Sequence, residues 1–112
     1  MTLATSRAQV WLEVELGDVC EFAYGKSLPA KARTGSGYPV YGSNGPVGLH
    51  KEALTTGDTI IIGRKGSFGK VHYSSVPCSP IDTTYYITQE QTKTYLPWLA
   101  RRLCCLDLDK LN

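Results

Sequence analysis

The chain has 112 residues, with 12 Lys and Arg against 10 Asp and Glu for a net charge of +2, and it is 42% hydrophobic and 20% charged. That make-up fits one ordinary globular domain and excludes a disordered, fibrous or two-domain chain. The longest apolar run, Thr59 to Gly63, is far short of the about 20 residues a membrane helix needs, and residues 1–10 lack the apolar core of a signal peptide, so the expected compartment is the cytoplasm.

Residues 1–10 read as a loose leader, and residues 11–112 as one domain that begins at the apolar anchor Trp11. Leu16 to Cys20 suits a short helical turn, and Glu21 to Tyr24 a strand. From Gly25 to Gly37, two lysines, an arginine, a proline and three glycines predict an exposed loop. Tyr38 to Tyr41 and Val47 to His50 flank Gly42-Ser43-Asn44-Gly45, whose Asn-Gly pair can take the positive φ that a tight hairpin requires. A turn at Gly57-Asp58 leads into Thr59 to Ile62, a β-branched run suited to a buried strand. Arg64 to Ser67 predicts a turn into Phe68 to Tyr73. Pro77 and Pro80 then interrupt the chain before a strand at Thr83 to Thr88. Leu96, Leu99, Leu103 and Leu106 share one face of a helix, with Thr94 as its expected cap and Pro97 in its first turn, where no intrahelical donor is lost.

The cysteines, Cys20, Cys78, Cys104 and Cys105, contain no Cys-x-x-Cys spacing and are expected as reduced core or helix residues. Charge is distributed unevenly. From Tyr24 to Lys70 there are seven cations against two acids, a net of +5, while the rest of the chain has five against eight, a net of −3. A basic middle between acidic ends suits a polyanion-facing surface, and it equally suits an ordinary solvated face.

Gly63-Arg64-Lys65-Gly66-Ser67-Phe68-Gly69-Lys70 has the content of a phosphate loop without its spacing. Counting back from Gly69-Lys70, the position that requires glycine holds Arg64, and Val71 follows where Ser or Thr is needed. The segment reads better as a glycine-rich turn that lifts Arg64, Lys65 and Lys70 towards an extended anion. His50 and His72, the only histidines, stand in no metal or triad spacing. Asp82 is expected to orient a strand by bonding nearby amides. With no methyltransferase Asn-Pro-Pro-Tyr signature, nuclease carboxylate cluster or cofactor loop, no enzyme, cofactor or metal is expected. Tyr41, Ser43, Asn44, Ser67, Tyr73, Tyr85 and Tyr86 interleave with the cations. Arg and Asn can fork onto base edges, Lys and hydroxyls can hold phosphates, and the tyrosines serve packing as readily.

Several segments now stand in order: Leu16-Gly17-Asp18-Val19, Gly25-Lys26, Tyr38-Pro39-Val40-Tyr41-Gly42-Ser43-Asn44-Gly45, Ile62 to Val71, and Ile81-Asp82-Thr83-Thr84-Tyr85-Tyr86. Together with the closing Leu106 to Asn112, they closely resemble the target recognition domain of type I restriction–modification specificity subunits, over Trp11 to Asn112. The resemblance implies a non-catalytic module that reads double-stranded DNA. Methyltransferase subunits would supply the S-adenosylmethionine chemistry and a restriction subunit the ATP-driven cleavage. It implies Ser43, Asn44, Arg64, Lys65, Ser67, Lys70, Thr83 and Thr84 as DNA-facing residues, with Lys26 joining Arg64, Lys65 and Lys70 on phosphates. The chain stops before the family's remaining recognition segment, its Pro-Pro-Leu region and its spacer helix, so the domain is expected to be incomplete. Cys78 stands where a larger, often aromatic residue is usual. The expected fold is α+β, a twisted and mainly antiparallel or mixed β arrangement with a C-terminal helix packed on it. The alternative function is a protein-interaction fragment that docks on the methyltransferase or another specificity fragment without reading DNA.

Overall fold

The computed structural model describes residues 21–105. The leader, Trp11, the turn at Leu16 to Cys20, and Leu106 as a helix-face residue lie outside the described residues.

The β-branched run becomes the centre of the fold. Seven strands and a helix are numbered here in chain order: β1 (Ala23–Tyr24), β2 (Tyr38–Gly42), β3 (Gly45–His50), β4 (Thr59–Gly63), β5 (Val71–Ser74), β6 (Ser79–Pro80), β7 (Thr84–Thr88) and α1 (Leu96–Cys105). Strand β4 lies inside a four-stranded antiparallel sheet of order β1-β7-β4-β5, and all five of its residues are buried. Side chains alternate across a strand, so Ile60 and Ile62 share one face. Tyr73 and Ile87 stand opposite Ile60, and Val71 and Tyr85 opposite Ile62. Against this face α1 lays Leu96, Leu99, Ala100 and Leu103, while Phe22 and Phe68 pack at the margin. At about 25 cal/mol per Å² of apolar surface, burial here supplies the main drive for folding.

The leucine periodicity marks the helix correctly, with Leu96, Leu99 and Leu103 buried and Arg101, Arg102, Cys104 and Cys105 exposed. Its cap differs from the sequence expectation. The amide of Leu96 donates to Gln89 Oε1 at 2.9 Å, and Gln89 Nε2 donates to the carbonyl of Thr94 at 2.7 Å. A side chain seven residues upstream thus satisfies the first helical amide, because a one-turn 3-10 helix, Gln89–Gln91, carries Gln89 back to it.

The second sheet has the order β3-β2-β6. Strands β2 and β3 form the expected hairpin, tightened around Ser43-Asn44 with Gly42 paired to Gly45, and Gly45 takes a positive φ. A bulge leaves Val47 without a cross-strand partner between the pairs Val40–Gly48 and Tyr41–Pro46. The third strand was not expected. Ser79–Pro80 runs parallel to β2, with Pro80 beside Tyr41, so Pro80 is a strand residue rather than an interruption. An edge position makes this cheap, since proline has no amide to contribute.

The turn at residues 81–84 joins the two sheets. The Ile81 amide donates to the Tyr41 carbonyl at 2.9 Å, and the Gly25 amide to the Thr84 carbonyl at 2.9 Å. Cys78, fully buried, sits beneath this junction, where its amide donates to Thr55 Oγ1 at 3.0 Å. Thr59 Oγ1 donates to the same oxygen at 2.9 Å. Each buried polar group in that chain of contacts has a partner, as burial demands.

Candidate nucleic-acid interface

Two turns that are distant in sequence meet at the end of β4. One is the hairpin tip, Ser43-Asn44. The other is residues 64–70, a loop closed by the Gly63 amide on the Lys70 carbonyl at 2.8 Å and the Gly69 amide on the Gly63 carbonyl at 2.9 Å. Gly66 and Gly69, at φ of 81° and 82°, take a conformation that side chains resist, and this lets the loop fold back on itself. The Ser67 amide donates to Ser43 Oγ at 3.4 Å, and Lys70 Nζ donates to Asn44 Oδ1 at 3.0 Å. His72 Nε2 lies 3.4 Å from the Ser43 carbonyl, with its ring tilted against Tyr41 at 6.2 Å between centroids.

Ser43, Asn44, Ser67 and Lys70, singled out in the sequence, are therefore neighbours in space. Lys65 joins them as an exposed side chain on the same loop, and Asn44 and Lys70 are also exposed. The cluster presents amide, hydroxyl and ammonium groups on an open rim. Those groups can accept from or donate to base edges and bind phosphate oxygens.

Arg64 is placed differently from its neighbours. Its amide and that of Lys65 donate to the Thr83 carbonyl at 2.8 and 3.1 Å. Its Nη2 donates to the carbonyl of Asp82 at 2.5 Å. Its guanidinium carbon lies 5.0 Å from the ring centre of Tyr24 and 6.0 Å from that of Tyr85, and those two rings meet edge-to-face at 5.1 Å. Its Nε is buried without a hydrogen-bond partner. Asp82 therefore organises this region through its carbonyl, and the expected contact from its carboxylate is replaced by the one Arg64 makes.

Three expected residues fall outside the open rim. Thr84 is fully buried and turns its hydroxyl to the Ile81 carbonyl at 2.8 Å, so it holds the turn and cannot face a ligand. Thr83 is half-buried and acts through its carbonyl. Lys26 is exposed but lines a cleft of about 250 Å³ with Leu28, His50, Glu52 and Leu54, which shares no residue with the loop pair. Sequence reasoning missed His72 and Tyr24 as supports of the two turns. The signal available for Tyr24 was its position next to the Gly25-Lys26 segment. Among the described residues, no group of three His, Cys, Asp or Glu side chains is arranged to hold a metal. No helix of the described residues is long and apolar enough to cross a membrane.

Residues 9–104 match the family profile of the type I restriction modification DNA specificity domain. The chain belongs to this family. Among solved structures, the specificity domain is similar to the type I restriction–modification system S subunit from M. genitalium, at 28% identity and a TM-score of 0.72. The alignment covers 85% of this chain and 26% of that one. The HsdS subunit from Thermoanaerobacter tengcongensis shares the fold, at 18% identity and a TM-score of 0.64, over 85% of this chain and 28% of its own. The specificity domain thus spans about a quarter of the length of these relatives. No curated protein matches the chain.

Proposed function

We propose that this specificity domain is a non-catalytic reader of double-stranded DNA in a type I restriction–modification assembly, and that it faces DNA with the paired turns at Ser43-Asn44 and Lys65 to Lys70. The supporting observation is the convergence of Ser43 with Ser67 and of Asn44 with Lys70, pairs separated by 24 and 26 residues in sequence. The fold brings polar and cationic side chains from two sheets to one rim, and membership of the specificity-domain family supports a non-catalytic role. Methylation and cleavage belong, in this reading, to methyltransferase and restriction subunits that the domain addresses to a site.

Salt dependence provides the test. If Lys65 and Lys70 neutralise phosphates, the affinity of the full chain for duplex DNA falls steeply with salt, and Lys65→Ala and Lys70→Ala each flatten the log–log slope by about 0.9. Measured with and without methyltransferase subunits, binding that is indifferent to salt and to both substitutions refutes the proposal. A second reading, docking on the methyltransferase or another specificity fragment, draws on the outer side of α1. There Trp98 is 54% exposed with the Arg102 guanidinium 5.6 Å from its ring centre, and Tyr95, just before the helix, is 71% exposed. Tyr, Trp and Arg are the residue types most enriched at binding hot spots. Partner binding that survives loss of DNA binding but fails in Trp98→Ala would favour it.

A further inference from the structure

We infer that Arg64 is a positioning residue rather than a reader of bases, a cationic staple that sets where the Lys65–Lys70 loop stands. Its side chain is committed inward. One end of the guanidinium holds the Asp82 carbonyl at 2.5 Å, Nε is sealed from solvent, and Cζ lies over the Tyr24 ring at 5.0 Å from its centre. A fork onto guanine needs two neighbouring N–H donors free on one edge. Burial of Nε closes the edge it shares with a terminal nitrogen, and on the other edge one of the two Nη2 N–H groups is held by the Asp82 carbonyl, which fixes the direction of the donors that remain.

The same contacts explain how the staple works. Arg64 and Lys65 donate both their amides to the Thr83 carbonyl, while the Arg64 guanidinium takes the neighbouring carbonyl of Asp82. The start of the loop is therefore tied by three bonds to the turn that joins the sheets. The Tyr24–Tyr85 pair supplies a wall on which the planar guanidinium can rest, something a lysine ammonium cannot exploit in the same way. Because the loop returns to Gly63 through Gly69 and Lys70, fixing its first residues also fixes Lys70 against Asn44. Tyr24 is 54% exposed, so it contributes to this site more than to the core.

The inference rests on the DNA-facing reading of the two turns, and the experiment separates the two. Arg64→Lys keeps the charge and loses the planar fork; Tyr24→Leu removes the wall and no charge at all. Amide hydrogen exchange at Lys65 and Gly69 and affinity for a panel of duplexes are measured on the full chain of wild type, both variants and Lys65→Ala. The expected result is at least fivefold faster exchange at Lys65 in Arg64→Lys and Tyr24→Leu, with a similar loss of affinity of about tenfold on every duplex. Lys65→Ala is expected to lower affinity while leaving exchange at Gly69 unchanged. Wild-type affinity in Arg64→Lys overturns the inference, since a simple phosphate contact tolerates lysine. A loss confined to one base pair also overturns it. Should the wild type bind no duplex, the DNA-facing reading fails by itself, and exchange then decides the staple: unchanged protection in both variants overturns it, and faster exchange sustains it.

Discussion

Gly63 is the position where a single methyl group tests how closely the two turns meet. A Cβ built there would stand 2.0 Å from the Ser67 carbonyl oxygen and 3.1 Å from Ser43 Cβ, where ordinary contact begins at 3.4 Å. The nearest obstacle is backbone, held in place by the bonds between Gly63, Gly69 and Lys70, so it cannot swing away as a flexible side chain would. Gly63 is not in a left-handed conformation, and the cost of Gly63→Ala is therefore steric. Overpacking of this kind costs about 1–3 kcal/mol, and a rigid obstacle favours the upper end. For a domain of this size that lowers the melting temperature by about 10–20 °C. Gly57→Ala is the control. Nothing lies within 4 Å of the added Cβ and no left-handed φ stands in its way. Reduced freedom in the unfolded chain should raise stability there by about 0.4–1 kcal/mol. Thermal melts followed by circular dichroism compare the two, and duplex affinity should fall in Gly63→Ala alone, measured well below its melting point. If both variants melt together at or above the wild-type temperature, the two turns do not meet as described.

The helix face and the pH response yield further expectations. Leu99 is 4% exposed and Arg102 is exposed on the other side of α1. Leu99→Asp should cost several kcal/mol by burying a carboxylate without a partner, while Arg102→Asp should cost about 1 kcal/mol or less by removing an exposed cation–π contact; equal losses of melting temperature would show that the buried stripe is misplaced. The Tyr73 phenol is pushed up to about 12 by burial, by its hydrogen bond to Asp58 at 2.5 Å and by the Asp58 charge. The folded state then holds this proton when the unfolded chain, at 10.0, has lost it. Its contribution to stability is therefore complete below pH 10 and disappears as pH rises through the folded value. Near-ultraviolet titration should find a late phenol that moves down in Asp58→Asn, and an unmoved titration would remove the contact.

What could be read from the sequence was what local periodicity and turn chemistry encode. Leu96, Leu99 and Leu103 repeat at helical spacing over about two turns, and Thr59 to Ile62 marks a buried strand by composition alone. The hairpin was legible because Ser43-Asn44 is bracketed by glycines and by strand residues. The family match, which the sequence already suggested through ordered segments, carried the gathering of Ser43, Asn44, Ser67 and Lys70. Strands β1 and β6 were harder, since two residues have no period and their partners lie far along the chain. The role of Gln89 as a cap depended on a one-turn helix bringing it back to Leu96. Arg64 and Thr84 bond within the fold where the sequence pointed them at a ligand, and for one shared reason. A sequence shows that a side chain is cationic or hydroxylic, but not that a carbonyl at Asp82 or Ile81 waits within reach.

Strand β1 consists of two residues at a sheet edge, paired as Ala23–Tyr86 and Tyr24–Tyr85. So short a ladder, flanked by the Glu21 amide on the Gln91 carbonyl and the Gly25 amide on the Thr84 carbonyl, opens at lower free-energy cost than the core of β4. Each opening carries Tyr24 away from Tyr85 and uncovers the flank of Arg64. If Arg64 positions a DNA-facing loop as proposed, apparent affinity equals the intrinsic affinity multiplied by the fraction of molecules in which this edge is closed. On that reading warming would weaken binding through edge fraying well below the global melting transition, with both turns themselves unchanged. A substitution that merely strengthens the pairing at Ala23 would act as a gain in affinity from outside the interface.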